Sequence, residues 1–226
     1  MSQQLDSSKL ISSDSRVPAL IAQKKEQLLQ ESKKVLADFI SQYIKDNNGK
    51  NRPNIISQVY EDTSKYEGEQ KNGVRNGKGV YFYQNGDVYF GDWEDEIFHG
   101  KGCYLFSTGE RYEGPLLKGK KNGQGKYLYS NGNMYEGGFS QDKKHGFGKF
   151  IYFSLGETYE GEWLNGKRQG KGMLITQTGD IFDGEWENDK KNGKGVFKNS
   201  NGSVYDGMWK ADFPNGLGKM VNNFFF

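Results

Sequence analysis

Seven times along the chain an aromatic residue is followed two positions later by glycine: Tyr66/Gly68, Tyr89/Gly91, Tyr112/Gly114, Tyr135/Gly137, Tyr159/Gly161, Phe182/Gly184 and Tyr205/Gly207. The spacing is 23 residues, with a single step of 24 before Tyr159. Two more glycines follow each start at offsets 11 and 13, from Gly77 and Gly79 in the first unit to Gly216 and Gly218 in the seventh. This period constrains the fold more than any composition does. A unit this short cannot bury a core alone, so its neighbours in an array must cover it.

Within a unit the hydrophobic period is two. In unit five Tyr159, Gly161 and Trp163 alternate with Glu160 and Glu162, the pattern of a strand with two unlike faces. Asn165-Gly166 starts a hairpin turn, Lys171 to Thr176 reads as the return strand, and Thr178-Gly179 leads into the next unit. Successive hairpins with no helix between them must pair antiparallel. The expected fold is mainly β, a single-layer elongated meander of about fourteen strands, on the order of 65 Å long at ~4.8 Å per strand. Its units are 66–88, 89–111, 112–134, 135–158, 159–181, 182–204 and 205–226. The third-position glycines lie inside strands, where glycine is ordinarily unfavourable. Their recurrence argues that aromatic rings lie flat over bare backbone.

The first 65 residues have different physics: they hold one of the 32 glycines, Gly49, and three aromatics, Phe39, Tyr43 and Tyr60. Residues 1–16 read as a polar disordered tail. Residues 17–47 read as one amphipathic helix, with Leu28, Leu29, Val35, Leu36, Phe39, Ile40, Tyr43 and Ile44 in an apolar stripe and Asn47-Asn48-Gly49 as its stop. Leu29, Leu36, Phe39, Ile40 and Tyr43 are its expected docking residues, either on its own sheet or on a partner. Residues 48–65 read as a linker and a capping strand. Counting back one period, Tyr60 takes the place of Tyr83, and Thr63-Ser64 falls at the turn.

Composition excludes several functions. Lys and Arg number 31 against 29 Asp and Glu, a net charge of +2, which argues against a nucleic-acid binder. The single cysteine, Cys103, fits a reducing compartment and leaves no disulfide framework. There is no apolar run of membrane-spanning length, and the polar N-terminus does not read as a secretory signal. His99 and His145 share one repeat slot, occupied elsewhere by Asn or Gln, so they read as turn residues and not as metal ligands or catalysts. Gly161-Glu-Trp-Leu-Asn-Gly166-Lys167 and Gly114-Pro-Leu-Leu-Lys-Gly119-Lys120 resemble the start of a phosphate-binding loop. They lack the Ser or Thr and the helix that such a loop needs. Carboxylates such as Glu160 and Glu162 read as solubilising charges. No enzyme activity, cofactor, metal or small-molecule substrate is expected.

Two features survive. One is an aromatic face, expected to form a partner-binding groove from Tyr89, Trp93, Tyr112, Tyr135, Phe139, Tyr159, Trp163, Phe182, Trp186, Tyr205 and Trp209, with aromatic residues of the return strands beside them. The other is a basic ladder, Lys120-Lys121, Lys143-Lys144, Lys167-Arg168 and Lys190-Lys191, which would space its pairs at roughly 10 Å along one edge and suit an anionic lipid or acidic surface.

The motif YEGxW…NGxxxGxG resembles the MORN (membrane occupation and recognition nexus) repeat, and unit five, YEGEWLNGKRQGKG, stands near the family consensus. The resemblance implies a twisted one-layer sheet, a scaffold and not a catalyst, and partners that are mostly other proteins. It is similar to axonemal subunits such as those of radial spoke heads, which implies a cytoskeletal place in a cilium or flagellum. The rival reading is a peripheral membrane module using the basic edge. Departures fall at Glu96-Ile97-Phe98 in unit two, Pro115-Leu116 in unit three and Asp212-Phe213-Pro214 in unit seven. Both ends of the array, the helix and Phe224-Phe225-Phe226, are expected contact sites.

Overall fold

The computed structural model describes residues 55–222 continuously, together with Gln23, Glu26, Gln27, Gln30, Glu31, Lys34, Val35, Ala37, Asp38 and Ser41. The expected tail 1–16, most of the expected helix, all five of its docking residues and Phe224 to Phe226 lie outside the described residues.

The described array is one antiparallel sheet of sixteen strands in chain order. A first strand, β1 (Ile55–Val59), precedes seven hairpins: β2 (Lys65–Lys71) with β3 (Val74–Phe82), β4 (Val88–Glu94) with β5 (Ile97–Leu105), β6 (Arg111–Leu117) with β7 (Lys120–Lys121) and β8 (Gly123–Leu128), β9 (Met134–Ser140) with β10 (Lys143–Tyr152), β11 (Glu157–Leu164) with β12 (Lys167–Ile175), β13 (Ile181–Glu187) with β14 (Lys190–Lys198), and β15 (Val204–Lys210) with β16 (Phe213–Val221). β1 pairs with β2 from Ile55↔Glu69 to Val59↔Lys65 and so covers the leading edge. Thr63, at a φ of 68°, makes the turn between them.

Two strands exceed the fourteen of the seven hairpins: the capping strand β1, and one from unit three, whose return strand is broken between Lys121 and Gly123. Each hairpin turns in two residues, several with both φ angles positive, as in Asp95-Glu96, Gln141-Asp142 and Asn188-Asp189. This backbone twist matches that of the flanking strands. The return strands therefore begin directly after the turn: β12 starts at Lys167, four residues before the position read from sequence. A bulge makes the earlier start compatible with the pairing. Gly161 faces Gly172 and Trp163 faces Arg168, so the partner strand carries extra residues between those pairs. Gly170 occupies that bulge at a φ of 66°, where a side chain would be strained.

Register aligns like with like. One row crosses the sheet as Tyr66, Tyr81, Tyr89, Tyr104, Tyr112, Tyr127, Tyr135, Phe150, Tyr159, Leu174, Phe182, Phe197 and Tyr205. Two residues along, glycines face glycines, for example Gly137, Gly148, Gly161, Gly172, Gly184 and Gly195. The opening ring of each unit is laid over its own glycine pair, as Tyr159 is over Gly161 and Gly172. This is the core: a sheet with no second layer buries its rings against its own bare backbone.

Candidate functional site

The aromatic face is built in interlocking pairs. The offset-four Trp of a unit stands edge-on between the opening ring of its own unit and that of the unit before. Trp163 is 5.2 Å from Tyr159 and 5.4 Å from Tyr135, at interplanar angles of 87° and 80°. Trp186 repeats the arrangement with Phe182 and Tyr159, and Trp209 with Tyr205 and Phe182. These edge-to-face contacts add about 0.5–1.5 kcal/mol each beyond area burial. Each indole N–H also reaches back to a glycine carbonyl of the preceding unit: Trp93 to Gly79, Trp163 to Gly148, Trp186 to Gly172 and Trp209 to Gly195, at 2.8–3.3 Å. The tyrosine hydroxyls donate within their own units, Tyr159 to the Glu162 carbonyl at 3.0 Å and Tyr66 to that of Glu69 at 2.7 Å.

This packing changes the reading of the expected groove. Tyr89, Trp93, Tyr112, Tyr135, Phe139, Tyr159, Trp163, Phe182, Trp186 and Trp209 are all buried, and Tyr205 alone of the expected residues is half-buried. They form a floor. The half-buried aromatic groups of this face come chiefly from the return strands and the first turn: Tyr60, Tyr81, Tyr83, Tyr104, Phe106, Tyr129, Tyr152 and Phe197.

The basic ladder is also divided. On a strand, neighbours point to opposite faces, and Lys-Lys pairs read as one edge are in fact the first two residues of return strands. The first members, Lys120, Lys143, Lys167 and Lys190, are exposed. The second members turn over the aromatic floor. The Lys144 ammonium lies 3.7 Å from the Trp163 ring centroid and 4.4 Å from that of Phe150. Lys121 lies 4.6 Å from Tyr127, the Arg168 guanidinium 4.2 Å from Trp186, and Lys191 within 5.3 Å of Phe182, Phe197 and Trp209. Arg75 takes the same place over Trp93 at 4.5 Å. Contacts of this kind give about 0.5–2 kcal/mol, more as water is excluded.

Offset nine is therefore a slot for a cation or a flat group lying on rings, and sequence reading missed it. Aligning the units at that offset gives Arg75, Phe98, Lys121, Lys144, Arg168, Lys191 and Pro214, and the departures in units two and seven are occupants of this one slot. Phe98 sits 4.0 Å from the Tyr89 ring. The acid in the next unit's turn fixes the slot residue's backbone: Asp142 accepts the Lys121 N–H, Asp189 that of Arg168 and Asp212 that of Lys191, at 2.8–2.9 Å.

Arg75 and Arg168 also pair with Glu96 and Asp189. Among the described residues Lys121, Lys144 and Lys191 make no ion pair. Burial draws the Lys144 ammonium down to about 8 and lowers Lys121 and Lys191 in the same direction. The site is a row of desolvated cations on an aromatic floor, ~10 Å apart at two strands per unit.

Other candidates resolve into structure. Glu162, read as solubilising, accepts the Lys171 N–H at 3.0 Å and satisfies the bulge; Glu69, Asp92 and Glu185 do the same in their units. Glu160 stays exposed, 4.0 Å from Lys149. His99 pairs with Glu94 at 2.9 Å. The described residues contain no cluster of His, Cys, Asp or Glu that could hold a metal. Both stretches that resemble a phosphate-binding loop run from strand through turn to strand.

No curated protein sequence matches the chain. Among solved structures, it is similar to the TCP domain of SAS-4 (dCPAP) from Drosophila melanogaster, solved with a proline-rich motif of Ana2, at 12% identity and a TM-score of 0.40, over 77% of this chain and 94% of that one. It is also similar to the TCP10 domain of CPAP from Danio rerio, solved with a peptide of STIL, at 11% identity and a TM-score of 0.28, over 76% and 96%. The MORN repeat model matches at residues 66–88, 89–111, 112–134, 135–154, 159–181, 182–204 and 205–222, and the chain belongs to the MORN repeat family.

Proposed function

We propose that the protein is a non-catalytic scaffold whose aromatic face receives an acidic segment of another protein, within a large assembly of the axonemal kind that its resemblance to radial-spoke subunits implies. The row of half-buried cations without ion pairs carries this reading. Lys121, Lys144 and Lys191 have given up much of their hydration to lie on rings, and burial already disfavours their charged form. A carboxylate arriving above them would find a cation, an apolar floor and little water to displace. Such a pair is worth more than one at an open surface. The half-buried rings Tyr104, Phe106, Tyr129 and Tyr152 run beside the row and supply apolar contact for the rest of the segment. Aromatic groups of this kind dominate binding hot spots.

The rival reading, an anionic membrane surface, rests on the exposed Lys120, Lys143, Lys167 and Lys190. Near such a surface each contributes about 1 kcal/mol. With the second members turned inward, only half of the ladder faces outward, and the attraction falls accordingly.

Two charge-reversed variants separate the readings. One carries Lys121→Glu, Lys144→Glu and Lys191→Glu; the other carries Lys120→Glu, Lys143→Glu and Lys190→Glu. Incorporation into the native complex, followed by cross-linking mass spectrometry, should fail for the inward set and persist for the outward set. Loss of flotation with anionic liposomes in the outward set, with incorporation intact in both, would overturn the scaffold groove in favour of the membrane.

A further inference from the structure

The face of the sheet opposite the aromatic floor is not uniform. Its central row is Val80, Phe90 and Cys103 in the first two units, then Glu113, Lys126, Glu136, Lys149 and Glu160. The row beside it begins Phe82, Val88 and Leu105, passes Arg111, and continues Leu128, Met134 and Ile151. The central row is thus apolar only in units one and two, while the row beside it, apart from Arg111, runs apolar from Phe82 to Ile151.

The sheet is one layer thick, so the burial of this patch has to come from outside it. Val80 and Val196 are the same residue at the same repeat position, offset 14, yet Val80 is 3% exposed and Val196 39%. At offset 16 Leu105 and Leu128 are 8% and 5% exposed, against 36% for Ile175 and 50% for Val221. Ile175 and Val196 have a paired strand on both sides, as Val80, Leu105 and Leu128 do, so the flanking strands alone do not account for the difference: something covers this face over the first units and stops before unit five. Residues 55–222 are all accounted for in the sheet and its turns.

Val35 is packed against the cluster of Val80, Phe90, Cys103 and Leu105. Glu31, four residues earlier, lines one cavity with Arg111, Lys126, Leu128 and Ile151. From Val35 back to Glu31 the segment therefore advances toward later units. The remaining described residues of the segment are exposed, and two pairs are joined four residues apart, Gln27 to Glu31 and Gln30 to Glu26. Val35 is the one described residue of the segment that is half-buried.

We propose that the second face of units one to four is a docking surface, and that its occupant is residues 17–47 of this same chain. The patch spans about seven strands, or ~34 Å, and a helix of that length needs about 22 residues, so the segment is long enough. Val35 belongs to the apolar stripe of that segment, and it meets Val80, Leu105, Phe90 and Cys103. The segment stays off the aromatic floor, which is left open to a partner. This inference does not depend on the acidic-partner reading, and its test does not involve that face.

Cys103 is the only cysteine and lies under the proposed cover, buried, with its thiol pushed up by desolvation. In the full chain it should react slowly with a maleimide or disulfide reagent. Val35→Asp should accelerate labelling about tenfold or more while amide protection in units five to seven shows the array still folded. Val35→Cys, treated with a short bifunctional thiol reagent, should give an intramolecular cross-link to Cys103 in the monomer. Unchanged labelling in Val35→Asp would overturn the proposal. So would a cross-link found only between two chains, because the occupant would then be a second copy. A Val35→Cys chain in which both thiols label singly and never join would overturn it as well.

Discussion

Gly161→Ala tests whether rings on bare backbone hold the array together. Gly161 needs no positive φ, so the substitution carries no intrinsic backbone penalty. A Cβ there would meet the Lys171 carbonyl and the Tyr159 hydroxyl, each at 2.6 Å, and would press on the Cα of Gly172. Two of these obstacles are backbone, and the third is a ring with 0% exposure. Nothing can rotate away, so the strands must part or Tyr159 must lift. Overpacking of this kind costs about 1–3 kcal/mol. Lifting the ring also breaks its bond to the Glu162 carbonyl, about 1 kcal/mol more, and loosens the edge-on contacts of Trp163 and Trp186. We expect a loss of about 3 kcal/mol in urea denaturation. Gly166→Ala is the control: it sits at a φ of 90° with nothing near its new Cβ, and should cost only local strain of about 1 kcal/mol. Amide exchange should show the Gly161→Ala damage in units four to six. A cost at or below that of Gly166→Ala would refute the argument.

Three further outcomes follow from particular contacts. Phe182 is the one opening ring without a hydroxyl, and Phe182→Tyr should stabilise by about 1 kcal/mol by donating to the Glu185 carbonyl, as Tyr159 does to Glu162; a lower denaturation midpoint would count against it. Trp186→Phe removes the donor to the Gly172 carbonyl, a bond of 2.8 Å, and should cost about 1–3 kcal/mol with an unchanged urea slope. Lys144 has a folded value of about 8, below its ordinary 10.5. Below pH 8 both states are protonated and the burial cost is fully present; from pH 8 toward 10.5 the unfolded chain keeps a proton the folded one has released, so stability rises with pH. The gain, on the order of 1 kcal/mol because the groove is partly open to solvent, should appear as the difference between the parent chain and Lys144→Met at pH 8 and 9.5, and a flat difference would reject it.

The array was legible because its signals are local and repeated. Tyr-x-Gly spacing fixes a strand, and Asn165-Gly166 fixes a turn. Ala211-Asp212 and Gln141-Asp142 make positive-φ turns of the same length without any such signal; only the period reveals them. Two things were hidden. The bulge at offset 11 shifts the strand phase, so Lys143-Lys144 looked like one edge when its members point apart. The depth of the aromatic floor was hidden as well, because burial here depends on Trp and cation slots contributed by adjacent units, not on the hydrophobicity of any one strand. An amphipathic stripe at 17–47 says that one side is covered and nothing about which sheet face covers it.

The weak seam of the array coincides with the covered part of its second face. Trp93 ties unit two to unit one through Gly79, and Trp163, Trp186 and Trp209 tie units five, six and seven to their predecessors. Units three and four have Leu116 and Phe139 at that position and cannot donate. Pro115 stands where units one, two, five and six place the acid that satisfies the bulge, and the return strand there is broken between Lys121 and Gly123. In a nearest-neighbour array a missing tie weakens one boundary without help from distant units. Two ties at about 1 kcal/mol each are absent between units two and four. The patch from Val80 to Ile151 crosses both of these boundaries, so a segment lying along it would link units that the aromatic face leaves loosely joined. Val35→Asp should then speed amide exchange in β5 to β9 more than in β11 to β14. Equal acceleration throughout, or none in β5 to β9, would mean that the seam holds without the cover.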